Sequence, residues 1–132
     1  MNNNNETQEK KPAIKIDNLF KSYGPKEVLK GLNLEVYEGE MFGFIGRNGI
    51  GKSTTIDCMI GSKKFNSGRI LLDGFDIKKD PLLAKQSFGY VASEPTCYEE
   101  MKGRDYLEFV ANIYQLSEGD FKNNYVYLCN RL

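Results

Sequence analysis

The sequence predicts an α/β fold in which a glycine-rich loop joins a buried strand to a helix. The first observation is the run Gly46-Arg47-Asn48-Gly49-Ile50-Gly51-Lys52-Ser53-Thr54, which fits the pattern G-x-x-x-x-G-K-[ST] without a mismatch. The second is its context, because residues 41–45 are apolar like a short buried strand and a helical pattern begins at Lys52. Strand, loop and helix therefore follow one another in the order that a phosphate-binding loop requires.

The loop residues have the chemistry that a polyphosphate needs. Glycines let the backbone curl until successive N–H groups point into one concavity, and the start of a helix adds further donors and the positive end of its dipole. Lys52 can place a cation on the outer phosphates, and the Ser53 hydroxyl can ligate Mg²⁺ beside them. The alternative is a glycine-rich turn that binds no ligand.

The residues before the loop predict a loose tail and a pair of strands. Residues 1–12 are polar, so a disordered tail is expected there, and a domain is expected from residue 13 to residue 132. Ile14, Ile16 and Leu19 suggest one strand and residues 28–37 alternate like another, with turns predicted at residues 22–25 and 38–40.

The residues after the loop predict a mixture of helices and strands. Ile56, Met59 and Ile60 are expected to form the buried side of the first helix, followed by a strand over residues 69–72, a short helix past Pro81 and a buried strand over residues 88–91. A longer helix is predicted over residues 104–116, with one apolar face that is either a packing stripe or a docking face for a partner. Its members are Tyr106, Phe109, Val110, Ile113 and Tyr114.

Composition limits the class of protein. The 132 residues are 40% hydrophobic and 27% charged, as in a globular domain, and the formal net charge of zero argues against a nucleic-acid partner. Neither a membrane-spanning run nor a secretion signal is evident, so the chain is expected to be cytoplasmic. Cys58, Cys97 and Cys129 are widely spaced and are expected to be reduced thiols, without a disulfide framework or a zinc site.

Several segments around the loop make residues 13–116 resemble the nucleotide-binding domain of ATP-binding cassette (ABC) transporters, a class of P-loop NTPase. They are Ile16-Asp17-Asn18-Leu19-Phe20-Lys21-Ser22-Tyr23-Gly24, then Leu29-Lys30-Gly31-Leu32-Asn33-Leu34-Glu35-Val36 with Glu38-Gly39-Glu40, then Ser67-Gly68-Arg69-Ile70-Leu71-Leu72-Asp73-Gly74-Phe75-Asp76-Ile77. The resemblance implies an antiparallel hairpin region, the start of a parallel core and a helical arm. Residues 98–101 and 103–107 further resemble the single-domain ATPase subunits of bacterial export systems.

The resemblance also implies ATP and Mg²⁺ as ligands. Tyr23 would stack on the adenine, the alternative being a turn tyrosine packed on the hairpin. The family's phosphate-binding positions are matched directly, while Arg47 and Ile50 occupy variable positions; the direct matches are Asn48, Gly49, Gly51, Lys52, Ser53 and Thr54. Where the family has a metal-contacting glutamine, this chain has Ser93 followed by Glu94, so either oxygen is a candidate metal contact, against an ordinary loop.

Some elements of the hydrolytic cassette are missing from the sequence. It contains no Asp-Glu dipeptide and no histidine, so the carboxylate that orients the attacking water and the family's switch histidine are both absent. Residues 116–120 superficially resemble the signature sequence, but Ser117 and Asp120 are better explained as a capping box that starts the last helix. The chain is therefore expected to be the N-terminal part of an incomplete domain, weakly stable, that binds nucleotide without efficient turnover.

The function implied by the resemblance is that of the ATP-binding subunit of an export-type ABC transporter, peripheral at the inner face of the cell membrane. Its partners would be a separate transmembrane permease subunit and a second ABC ATPase domain in a head-to-tail dimer. Alternatives are a soluble ABC ATPase working in translation or repair, a truncated non-catalytic nucleotide-binding module, and a small P-loop kinase. The residues near 67–77 do not suit the phosphoryl-acceptor lid of a kinase.

Overall fold

The computed structural model describes residues 11–94, 98 and 100–131, which divide into two compact units at the boundary between Tyr90 and Val91. The expectations for residues 1–10 and for Cys97 lie outside the described residues. The first strand begins at Pro12.

The first unit is built on a four-stranded antiparallel sheet. Its strands are β1 (Pro12–Tyr23), β2 (Lys26–Tyr37), β3 (Ser67–Leu72) and β4 (Phe75–Asp76), in the order β2-β1-β3-β4. The hairpin that the alternating pattern predicts is confirmed, with Tyr23 opposite Lys26 across the turn at Gly24 and Pro25. Alternation carries strong information in such a strand because successive side chains point to opposite faces of the sheet.

Two helices cover the core of this unit. They are α1 (Lys52–Met59) and α2 (Pro81–Gln86), and both were predicted. The core joins three strands to Cys58 of α1, Ala84 of α2 and Phe65, which precedes β3. Its residues from the strands are Ile16, Leu19, Leu29, Ile70 and Leu72. The fully buried residues of α1 are Thr55 and Cys58. Of the three residues expected on the buried side, Met59 packs against the core, whereas Ile56 and Ile60 are half-buried and do not belong to it, so the expected helix face was wrong at those two positions. Burial raises the pKa of the Cys58 thiol, which is free as expected, as is Cys129.

Two predicted buried strands are absent from the described residues. Residues 41–45 and 88–91 form no strand, and Met41 and Ile45 are 103% and 93% exposed, while Val91 is 83% exposed. A buried strand forms only where a neighbouring strand pairs with its backbone groups and other elements cover its faces. Among the described strands every pairing is antiparallel, and none involves either segment. The apolar composition of these segments was read correctly, but the partners that would make them strands are not provided by the described residues.

The second unit contains the helices α3 (Gly103–Ile113) and α4 (Glu118–Cys129). The helix predicted over residues 104–116 is confirmed, although it ends three residues earlier. Val110 and Tyr114 from its apolar face line a small cavity of about 150 Å³ against α4, but Phe109, Ile113 and Tyr114 are 42%, 61% and 72% exposed. The packing interpretation therefore applies to only part of that face.

The start of α4 decides between two interpretations of residues 116–120. Ser117 is the N-cap, and its hydroxyl oxygen accepts a hydrogen bond from the Asp120 N–H at 3.1 Å and donates to the Asp120 carboxylate at 2.7 Å. The N-cap half of the predicted capping box is therefore present, while the Asp120 carboxylate accepts from the Ser117 hydroxyl and not from the Ser117 backbone N–H that a full capping box would use. In the part of the chain that the structure describes, no helix has the length and apolar character needed to cross a membrane.

Candidate phosphate-binding site

The predicted loop and the predicted aromatic residue line one cavity in the first unit. The cavity has a volume of about 480 Å³ and is lined by Tyr23, Lys26, Val28, Asn48, Gly49, Gly51, Lys52, Ser53 and Thr54. Tyr23 ends β1 and Lys26 begins β2, so the hairpin turn presents both beside the loop that precedes α1. Tyr23 is 43% exposed, so the hairpin does not enclose it.

The backbone of the loop adopts conformations that favour glycine. Gly49 has a φ of 81° and Gly51 a φ of 105°, in the region that L-residues with side chains rarely occupy. At Gly51 a Cβ atom would also lie 2.7 Å from Leu29 Cδ2 and 3.2 Å from Val28 Cγ1. Gly51, the second glycine of the motif, therefore lies where the start of α1 packs closely against β2. At this position the fold requires a residue without a side chain.

Lys52 is placed to present a positive charge to the cavity. It is the first residue of α1, and its ammonium group donates hydrogen bonds to the carbonyl oxygens of Gly46 and Arg47, the latter at 2.8 Å. These carbonyls precede the helix, so the side chain curls back along the loop. An anionic phosphate would offer the same ammonium group stronger, charge-assisted hydrogen bonds than the neutral carbonyls do.

The N-terminus of α1 carries none of the groups that usually neutralise a helix start. It has no side-chain cap and no acidic residue in its first turn, and its first residue is a lysine. By contrast, α4 has Ser117 as its cap and both Glu118 and Asp120 in its first turn. Since the first N–H groups of a helix lack intrahelical partners and the dipole adds positive potential there, α1 begins in a way suited to an external anion.

The three hydroxyl residues after Lys52 have different environments. Thr55 is fully buried, and its hydroxyl donates to the Gly51 carbonyl oxygen at 2.9 Å, which fastens the loop to the helix. Ser53 is exposed and lines the cavity, as Mg²⁺ coordination by its hydroxyl would require, and Thr54 is half-buried. One hydroxyl suits Mg²⁺ bound mainly through phosphate oxygens and water. Among the described residues no group of three His, Cys, Asp or Glu side chains is clustered as a metal site of its own.

The remaining predicted site residues do not line this cavity. Gly46 and Arg47 contribute their carbonyl groups to Lys52 and are not cavity-lining residues, and Ile50 is 61% exposed. Ser93 and Glu94 are exposed residues of the second unit. Their role as metal contacts stays a prediction.

Sequence reasoning missed Lys26 and Val28, which also line the cavity. The signal that could have found them is the two-residue turn at Gly24 and Pro25, because a hairpin closed there pairs Tyr23 with Lys26. A residue that pairs across the turn with a candidate ligand-binding residue is itself a candidate.

The hairpin, the glycine loop and the helix that begins at its lysine define the class of this protein as a P-loop nucleotide-binding fold. Comparison with known proteins gives the family. The family model described as "ABC transporter" matches residues 29–126, and the chain belongs to that family, of which it has the N-terminal portion of the nucleotide-binding domain.

Individual relatives agree with this assignment. A linearmycin resistance ATP-binding protein of Bacillus subtilis is 37% identical over 109 residues, covering 83% of this chain and 35% of the relative. An uncharacterized ABC transporter ATP-binding protein of Methanocaldococcus jannaschii is 33% identical over 122 residues, covering 92% of this chain and 42% of the relative. The chain thus spans less than half the length of these curated relatives.

One solved structure also resembles the fold. A structure described as the ATP-binding subunit of an ABC transporter matches with a TM-score of 0.72 at 34% sequence identity, covering 81% of this chain and 45% of the solved one. The fold class predicted from the sequence, an incomplete P-loop domain of the ABC ATPase type, is confirmed.

Proposed function

We propose that this chain binds ATP together with Mg²⁺, as part of the ATP-binding component of an ABC transporter. The observation that carries the proposal is that Tyr23, Lys52, Ser53 and the loop glycines line one cavity at a helix start without a cap or acidic residue. The names of the similar proteins, which record ATP binding, support the same ligand.

Each residue has a defined role in this proposal. The ring of Tyr23 stacks on the base, the loop and the first N–H groups of α1 hold the phosphates, and Lys52 neutralises their charge. The Ser53 hydroxyl holds Mg²⁺, which supplies further charge neutralisation when bound. Ser93 and Glu94 are proposed as additional metal contacts.

The wider setting is proposed from the family. The partner is a separate transmembrane permease subunit, and a second ABC ATPase domain pairs head to tail with this one, at the inner face of the cell membrane. We propose an export-type system, because residues 98–101 and 103–107 resemble the ATPase subunits of bacterial export systems. No nucleic-acid partner is proposed, because the formal net charge is zero.

The test is equilibrium binding of MgATP to the 132-residue chain by calorimetry. Lys52→Ala is expected to weaken binding about ten- to a hundredfold, because charge-assisted hydrogen bonds to the phosphates are lost. Lys64→Ala is the matched control, since Lys64 is an exposed lysine of the same unit outside the cavity lining.

Equal affinities for the wild type and Lys52→Ala would contradict the proposal. Bound MgATP is also expected to stay intact over the experiment, since the sequence has neither an Asp-Glu pair nor a histidine. Release of inorganic phosphate at a rate that depends on Lys52 would show that this last expectation is wrong.

A further inference from the structure

The ring of Tyr23 is flanked by two lysines that sequence reasoning did not connect to it. The Lys21 ammonium lies 4.7 Å from the ring centroid and the Lys63 ammonium 5.9 Å from it. Tyr23 and Lys26 line the cavity described above, whereas neither Lys21 nor Lys63 is among its lining residues. Both ammonium groups therefore lie near the ring, and neither lysine lines the cavity.

Lys63 is itself held by the helix that carries the phosphate site. Its ammonium forms an ion pair with the Asp57 carboxylate of α1 at 2.8 Å, and its backbone N–H donates to the Asp57 carbonyl oxygen at 3.0 Å. The Asp57 carboxylate, and to a smaller extent Tyr23, raises the pKa of Lys63. Asp57 thus fixes both the main chain and the side chain of Lys63.

The same segment is fastened to the end of β1. Asn66 donates its backbone N–H to the Phe20 carbonyl oxygen at 2.9 Å, and its side-chain oxygen accepts from the Ser22 N–H at 2.8 Å. Residues 61–66 therefore connect α1 to the strand end immediately before Tyr23. Lys63 lies within this connection and reaches the ring.

We infer that Lys63, held by Asp57, is a positioning residue that orients the Tyr23 ring for stacking on the nucleotide base. This inference rests on the proposed function and adds a determinant for the base, distinct from the phosphate site. A cation over a tyrosine ring contributes modestly at an exposed site, so the effect should be small and confined to ligands that carry a base.

The test compares two ligands on the 132-residue chain, MgATP and magnesium tripolyphosphate, which has the phosphates but no base. Lys63→Met is expected to weaken MgATP binding about two- to fivefold and to leave tripolyphosphate binding unchanged. Asp57→Asn should act in the same direction, since it releases Lys63. Lys63→Arg should restore MgATP affinity because it keeps the charge, and Lys64→Met should leave both affinities unchanged.

A double-mutant cycle separates positioning from general electrostatics. In a Tyr23→Ala background, Lys63→Met should cause no further loss of MgATP affinity, because the residue through which it acts is gone. Equal weakening of both ligands would overturn the inference, as would unchanged MgATP affinity. If Lys52→Ala altered neither ligand, the phosphate site itself, and with it the proposed function, would be wrong. That result is distinct from an outcome in which Lys52 matters and Lys63 does not.

Discussion

Gly51 gives the sharpest test of how the loop is built, and the perturbation is Gly51→Ala. Its φ of 105° disfavours any residue with a side chain, and the added Cβ would lie 2.7 Å from Leu29 Cδ2 and 3.3 Å from the Val28 carbonyl oxygen. Leu29 is 5% exposed and belongs to the core. The methyl group therefore cannot be accommodated by moving a free side-chain end into solvent.

The loss of stability has two parts. Forcing a side chain into a left-handed conformation costs about 1–2 kcal/mol, and overpacking a well-filled core costs about 1–3 kcal/mol more. Gly51→Ala should thus lower the free energy of unfolding by about 2–5 kcal/mol. Gly49→Ala is the matched control, because Gly49 has a φ of 81° but an added Cβ there would meet no atom within 4 Å. Gly49→Ala should lower the free energy of unfolding only by the part due to backbone strain, about 1–2 kcal/mol.

The assay is urea unfolding followed by far-UV circular dichroism, with the two alanine variants and the wild type measured side by side. The wild type should have the highest midpoint, Gly49→Ala an intermediate one and Gly51→Ala the lowest. Equal midpoints for the two variants would refute the argument that Leu29 blocks the Gly51 position, because both would then be reporting backbone strain alone.

Three further outcomes are expected. Burial raises the pKa of Asp76, but hydrogen bonds from the Lys78 N–H and the Arg69 side chain outweigh it and hold the pKa below the usual aspartate value. Its contribution to stability is therefore present above the unfolded pKa of about 3.9 and is lost as the pH falls through the lower folded pKa. Arg69→Met should cost about 1 kcal/mol at neutral pH and much less in strong acid, by urea unfolding at each pH; a loss independent of pH would contradict this. Ser117→Ala should destabilise α4 by about 1 kcal/mol, seen as faster amide exchange in its first turn, and unchanged exchange would count against the cap. Gly68→Ala should abolish cooperative unfolding or nearly so, because the new Cβ would overlap the backbone of β1, and a wild-type melting curve would exclude that close approach.

Much of the candidate site was predictable because it depends on local chemistry. The loop from Gly46 to Thr54 and the helix that begins at Lys52 were identified from the residues themselves, whereas Tyr23, which was placed in a turn, was singled out by the family resemblance. The structure brings Tyr23 and Lys52 to one cavity. The motif, the turn and the hairpin each involve residues that are close together in the sequence. They can therefore be recognised without knowing which residues they contact in the folded protein.

The role of the segment after α1 could not be predicted in the same way. Lys63 appears in the sequence as one of two adjacent lysines in a polar stretch, and nothing in the pattern distinguishes it from Lys64. Only the fold brings it to Asp57 on one side and Tyr23 on the other. Likewise, the fully buried residues of α1 are Thr55 and Cys58, whereas Ile56 and Ile60, which are more apolar, are only half-buried.

The sequence by itself determined the glycine-rich loop, the hairpin before it, the helix after it and the cap of the last helix, since each follows from interactions within a few residues. The tertiary structure alone decided which apolar segments become strands. Residues 41–45 and 88–91 have the composition of buried strands, yet neither forms one, because a strand exists only where neighbouring strands complete its hydrogen bonds and a core covers its side chains.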